Sequence, residues 1–206
     1  MHRREFIPLS LLAAGRLAAA DRLRAFGLSW SVPLLADWRV DSAEGTETLR
    51  LLVARPQQKD PRRPFQYALA ETEPLSQFVL ELEAQPGKAG DSLIIVYAWR
   101  DYEHFNYVHL SADAGSYQPV HNGVFHVYGG DRSRISVEDG PCALPDGGWR
   151  KVKVTFDGSA GLVEAIVDGK PNPSLRAADL SLTSGRIGLG SFFNTANFRN
   201  LRLSTL

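Results

Sequence analysis

The chain reads as an all-β protein, a sandwich or barrel of short strands. Three observations lead there. Short runs of alternating apolar and polar residues recur along most of the sequence, the gaps between them carry turn residues such as Glu44-Gly45-Thr46, Asn122-Gly123 and Asp168-Gly169, and no segment beyond the N-terminal 20 residues reads as a helix. About a dozen strands at regular spacing fit a single domain, a normal size for an all-β chain of 206 residues. No internal repeat is visible.

Composition narrows the function classes. Lys plus Arg and Asp plus Glu both number 23, so no overall charge draws the chain to nucleic acid or to an anionic membrane. Cys142 is the only cysteine, which excludes an intramolecular disulfide framework and any zinc site built on several thiolates. No cofactor motif is present.

The first 20 residues form a unit of their own. Arg3-Arg4, then Phe6-Ile7 and a short apolar run ending in Leu17-Ala18-Ala19-Ala20, resemble a twin-arginine export signal, with Arg16 as the basic residue before the small-residue site. His2 and Pro8 depart from the usual pattern, and the competing reading is an amphipathic helix that stays on the protein. The apolar run is shorter than the roughly 20 residues of a membrane span. The expected organisation is therefore an export signal over 1–20, a lead-in over 21–35 and one domain over 36–206, with a periplasmic or secreted location and no integral membrane segment once the signal is removed.

Residues 36–41 and 47–55 alternate as two strands around Glu44-Gly45-Thr46. The segment Arg55–Pro64 has three prolines and five charged side chains, and reads as an exposed loop, since prolines interrupt a ladder. Strands follow at 65–71 and 76–85, the latter with Phe78, Leu80 and Leu82 on one side and Val79, Glu81 and Glu83 on the other. Asn122-Gly123 between Val120-His121 and Val124-Phe125 predicts a two-residue hairpin, because both central residues of a type I′ turn need positive φ. Residues 148–158 alternate, and 162–170 turn back at Asp168-Gly169, whose Asp belongs to the turn. The last two strands are 184–193 and 196–205.

The stretch richest in chemistry is Leu93–Ala112, two strands joined by a charged loop. With Asp101–Phe105 as that loop, Val96, Ala98, Arg100, Asn106, Val108 and Leu110 share one face, and Trp99, Tyr97, Tyr107 and His109 share the other. The second face is either core or a platform for sugar rings, since large aromatics serve both. His109 favours the platform, because a histidine is easier to satisfy at a wet cleft than in an apolar layer.

Taken together, Asn106–Asp113, the Gly-Trp strand Gly148–Gly158, the Val-Asp-Gly turn and the closing segment Ser184–Leu203 resemble the concanavalin A-like lectin and glucanase superfamily. The likeness extends to its laminin-G-like jelly rolls and to bacterial secreted 3-keto-disaccharide hydrolase domains. It covers residues 36–206 and implies a jelly-roll sandwich of two antiparallel sheets, with carbohydrate as the common ligand, bound on the concave face. Binders, hydrolases and protein-interaction modules share such a fold.

Hydrolysis of a glycosidic bond usually needs two carboxyl groups, roughly 5 to 9.5 Å apart. Glu81 and Glu83 stand about 7 Å apart on one face of a strand, but the Glu-x-Asp-x-x-Glu pattern of the family 16 glucanases is absent, and their plainer role is a solvated outer face. Asp101, Glu103 and His104, with His109, His121 and His126, could supply a base, though no spacing matches a known catalytic motif. No Gly-x-Ser-x-Gly elbow occurs. Asp131, Glu138 and Asp139 are a weak calcium pattern and Cys142 an incidental thiol. The expectation is therefore an exported carbohydrate-binding domain in which Trp99 and Tyr107 stack on sugar rings, Tyr97 extends that aromatic face, and Arg100, His109 and His126 bond hydroxyls, with no metal ligands. The alternatives are a hydrolase or lyase in the same cleft and a laminin-G-like interaction module.

Overall fold

A computed structural model of the chain describes residues 21–57, 59–113 and 118–205, so the export segment expected over 1–20 lies outside the described residues. Two antiparallel sheets face each other. The eight-stranded sheet runs β1 (Asp21–Ala25), β2 (Leu28–Val32), β5 (Gln66–Ala70), β14 (Arg186–Ser191), β7 (Leu93–Asp101), β8 (His104–Leu110), β9 (Gly123–Tyr128), β10 (Arg132–Arg134). The seven-stranded sheet runs β13 (Lys170–Ala178), β12 (Leu162–Val167), β11 (Arg150–Asp157), β6 (Gln77–Pro86), β15 (Ala196–Thr205), β4 (Thr46–Leu51), β3 (Trp38–Ala43). Strands adjacent in sequence often lie in different sheets, which is the crossing connectivity of a jelly roll. Among the described residues no helix is long and apolar enough to cross a membrane.

Alternation builds the core. In β6 Phe78, Leu80 and Leu82 point inward while Glu81 and Glu83 point out, and in β11 Val152, Val154 and Phe156 meet them across the ladder with Lys151 and Lys153 outside. Trp30, Leu49, Leu93, Ile95, Val108, Leu110 and Phe198 complete the layer between the sheets. The lead-in contributes two strands to the eight-stranded sheet. Residues 21–25 and 28–32 form a hairpin that joins β5, because Ala25, Trp30 and Val32 supply an inward row.

The Asn122-Gly123 hairpin does not form. Gln118–His121 is one helical turn, α1, and β9 starts at Gly123, paired with β8 on one side and β10 on the other. Asn122 is buried instead, its Nδ2 donating to Pro141 O at 3.0 Å and to Ser174 Oγ at 2.9 Å. The side chain anchors a loop, a use of Asn that competes with the turn. Asp168-Gly169 does turn, both residues having positive φ (50° and 74°).

A second apolar layer lies on the outer face of the eight-stranded sheet: Tyr67, Leu69, Ile94, Val96, Trp99, Phe105, Tyr107, Phe125, Val127 and Phe192. The proline-rich segment meets this face. Arg62 O accepts from Arg132 N at 3.0 Å, and Arg63 pairs with Glu103 at 3.4 Å. Its start is tied down by Arg55, whose guanidinium donates to both oxygens of the buried Asp37 at 2.6 and 2.9 Å.

Candidate functional site

The β7–β8 hairpin has a tighter turn than expected, and its register differs. Asp101 faces His104, while Leu93 faces Leu110, Ile94 faces His109, Val96 faces Tyr107 and Tyr97 faces Asn106. The difference is absorbed by a bulge between Tyr97 and Asp101, where Ala98 adopts φ 49°. Tyr97 and Ala98 both face the core, so Trp99 is turned to the outer face. The expected grouping of Tyr97 with Trp99, Tyr107 and His109 is therefore corrected: Tyr97 lies between the sheets, 1% exposed, 5.0 Å from the ring of Phe156.

The bulge makes a cleft. Trp99 stands at its wall, with Nε1 donating to Tyr67 Oη at 3.0 Å and the Arg186 guanidinium 4.3 Å above its ring. Arg100, Thr72, Pro74, Ser184 and Gly185 complete a depression of about 460 Å³, within the range of small-molecule sites. Ser184 also lines a second depression of about 510 Å³ with Gln77, Ser159 and Leu180, so the furrow continues across one end of the sandwich. Tyr102 packs edge-on against Trp99 at 5.7 Å and remains 59% exposed. The Thr72 hydroxyl is buried without a partner among the described residues. Gly185 permits this geometry: a Cβ there would fall 2.3 Å from the carbonyl carbon of Ala98, and its backbone exchanges hydrogen bonds with Leu75 at 2.8 and 3.1 Å.

The six residues singled out from sequence thus separate into three places. Trp99 and Arg100 meet at the cleft. Tyr107 and His109 are buried in the outer aromatic layer, where His109 stacks on Phe192 at 5.9 Å and Tyr107 on Phe125 at 5.3 Å. Tyr97 and His126 flank Asn106 in register on the inner side. Burial pushes the Tyr107 phenol well up despite the Arg132 charge beside it, and burial first, with Arg132, His121 and Arg62 after it, holds the His109 imidazole well below its ordinary range. Sequence reasoning passed over Arg186, Thr72 and Tyr102. The first lay in a segment read only as a strand, Thr72 lay between two strands, and Tyr102 sat in a loop read for its charged residues.

Other chemistry-bearing residues have structural partners. His126 Nδ1 lies 3.5 Å from both Asp179 Oδ2 and Ser181 Oγ. Because Ser181 and Asp179 approach the same nitrogen, and Ser181 Oγ donates to Asp179 at 2.7 Å, these three form no nucleophile relay. Burial raises the Asp179 carboxyl, but hydrogen bonds from Ser181 and Asn106 and the nearby His126 outweigh it and leave it below the usual range. Glu81 and Glu83 line an open groove of about 840 Å³ on the outer face of the seven-stranded sheet, alternating with Lys151, Lys153 and Arg202, and Glu83 is paired with Arg199 at 2.7 Å. Asp131 accepts from Arg62 N at 2.6 Å, while Asp139 pairs with Arg134 at 3.0 Å.

Fold and connectivity place the chain among the jelly-roll β-sandwiches. No family model and no curated protein matches it. Among solved structures it is similar to the carbohydrate-binding module CBM66 from Bacillus subtilis, at TM-score 0.60 and 14% identity over 85% of this chain and 95% of that one. It is also similar to a mutant of the GH43 protein BlXynB from Bacillus licheniformis (TM-score 0.57, 13% identity, 91% and 38% covered). A Bacillus subtilis protein of unknown function with a galectin-like fold aligns at TM-score 0.51 and 13% identity, over 83% and 90%. At these identities the likeness is one of fold.

Proposed function

We propose that this chain is a carbohydrate-binding domain and that the Trp99 cleft holds the sugar. The observation that carries the reading is the bulge at Ala98, which brings Trp99, Arg100 and Arg186 to one open depression beside the exposed Tyr102. Backbone in a sparsely populated region persists only where the surroundings hold it, and such positions cluster at ligand sites. Trp99 is itself 9% exposed beneath Arg186, and the free aromatic face is that of Tyr102; such a face beside guanidinium and hydroxyl donors suits a pyranose, which offers an apolar ring face edged with hydroxyls. The similarity in fold to a carbohydrate-binding module supports the ligand class.

Binding is the chemistry that this cleft supports better than hydrolysis by the two-carboxylate mechanism of most glycosidases, because its lining residues include no carboxyl group. Titration calorimetry against gluco-, xylo-, manno- and galacto-oligosaccharides tests the reading. At least one series binds, and Tyr102→Ala and Arg100→Ala, both at exposed positions, each weaken it about tenfold, equal to about 1.4 kcal/mol. Binding that survives both substitutions unchanged, or no binding by any series, rejects it.

A further inference from the structure

The furrow at the Trp99 end has a floor of its own. Leu75 and Gly185 form an isolated antiparallel bridge, exchanging backbone hydrogen bonds at 2.8 and 3.1 Å, and the Leu75 side chain packs into the core. The two segments that cross at this bridge line both depressions. Thr72 and Pro74 share the Trp99 depression with Gly185 and Arg186, whereas Ser76 and Gln77 share the other with Thr183 and Ser184. Antiparallel order accounts for the division, because a step forward along one segment is a step back along the other. The depressions therefore lie in line and meet at Ser184. From Thr72 to Gln77 the chain spans at most about 17 Å. Each depression alone, about 460 and 510 Å³, has the size of a small-molecule site.

The walls of the second depression are held in place. Asp157 Oδ1 accepts from Gln77 Nε2 at 2.8 Å, from Ser159 Oγ at 2.6 Å and from the Ser159 N–H at 2.9 Å. The Gln77 and Ser159 side chains each keep an oxygen able to accept a further hydrogen bond. Gly158 N donates to Ser76 O at 2.7 Å, and a Cβ on Gly158 would fall 1.9 Å from Thr183 O, so glycine lets the three segments meet. Ser76, Thr183 and Ser184 add hydroxyls, and Leu180, 65% exposed, adds an apolar surface. Neither depression is lined by a carboxyl group.

We infer that the furrow takes a linear oligosaccharide along its length, one stretch of chain beside Tyr102, Arg100 and Arg186 and the next over Gln77, Ser159 and Leu180. The inference rests on the carbohydrate reading of the Trp99 cleft and names the form of the glycan, an extended chain in place of a single sugar. A chain seated in the first depression presents its next units to the second at high effective concentration, so affinity rises with length until both are filled. Side chains fixed by Asp157 lower the ordering cost of that second contact.

The experiment is calorimetric and ¹⁵N NMR titration with the mono-, di-, tetra- and hexasaccharide of the neutral series that binds best. The tetrasaccharide binds at least tenfold more tightly than the disaccharide, and the hexasaccharide gains little more. The disaccharide shifts the Trp99 indole N–H, and the tetrasaccharide shifts the Ser159 backbone N–H as well. Leu180→Ala, at an exposed position, weakens the tetrasaccharide about fivefold and leaves the disaccharide unchanged, while Tyr102→Ala weakens both. A disaccharide that binds as tightly as the tetrasaccharide, or a gain with length that survives Leu180→Ala and leaves Ser159 unmoved, overturns the extended furrow and leaves the Trp99 cleft standing. Binding at no length overturns both.

Discussion

His109 is fully buried, pressed between Phe192 and Phe125 with one ring nitrogen turned to Arg132. Burial holds its pKa well below 6.5, so the folded protein keeps it neutral where the unfolded chain would protonate it. Its contribution to stability is therefore complete above pH 6.5 and is lost as pH falls below that value, at up to about 1.4 kcal/mol per pH unit. Urea unfolding across pH 7 to about 5 should show that slope in wild type, and a folded His109→Gln variant should show a flatter one. Equal slopes would mean that His109 is solvated in the folded state. The aromatic character of this region was legible in the sequence, but its burial was not. Arg132 is 23 residues away, and nothing near His109 announces that an arginine will fill the space a sugar was expected to take.

Among the elements, the alternating strands and the Asp-Gly turn were readable because period-two patterning and positive φ leave local marks. The bulge in β7 leaves none. Its positive-φ residue is an alanine, and its partner constraint sits 87 residues later, just before β14, where Gly185 lies against the backbone of Ala98 and Trp99. That contact makes a prediction at this scale. Gly185→Ala would place Cβ 2.4 Å from Trp99 N and O, where only backbone can give way, and should destabilise by about 1–3 kcal/mol or more, with loss of the cleft. Gly169→Ala, in a turn at φ 74° with nothing within 4 Å, should cost only about 1–2 kcal/mol and leave the cleft intact. Calorimetric melting of both variants, with near-ultraviolet circular dichroism of the tryptophan band, checks the ranking. A Gly185→Ala variant as stable as wild type would place β14 differently.

For the molecule as a whole, two sheets and one core followed from patterning, yet patterning cannot say that a sheet has apolar residues on both faces. The eight-stranded sheet does, because the proline-rich segment and Arg132 cover its outer aromatics. A loop that reads as solvated in sequence, with Arg62 and Arg63, is half-buried once the fold brings it to β10 and the β7–β8 turn. At the Trp99 end the exposed aromatic surface is the ring of Tyr102, 59% exposed, packed edge-on against the buried Trp99. The claim on which the account depends is that carbohydrate enters the Trp99 cleft, and the four tryptophans, Trp30, Trp38, Trp99 and Trp149, report its location directly. In a ¹⁵N-labelled titration with the oligosaccharide series of highest affinity, the account predicts a saturable shift of the Trp99 indole N–H, which donates to Tyr67, with Trp30 and Trp149 unmoved. A shift confined to Trp149, which lies under Arg199 against the seven-stranded sheet, would contradict it.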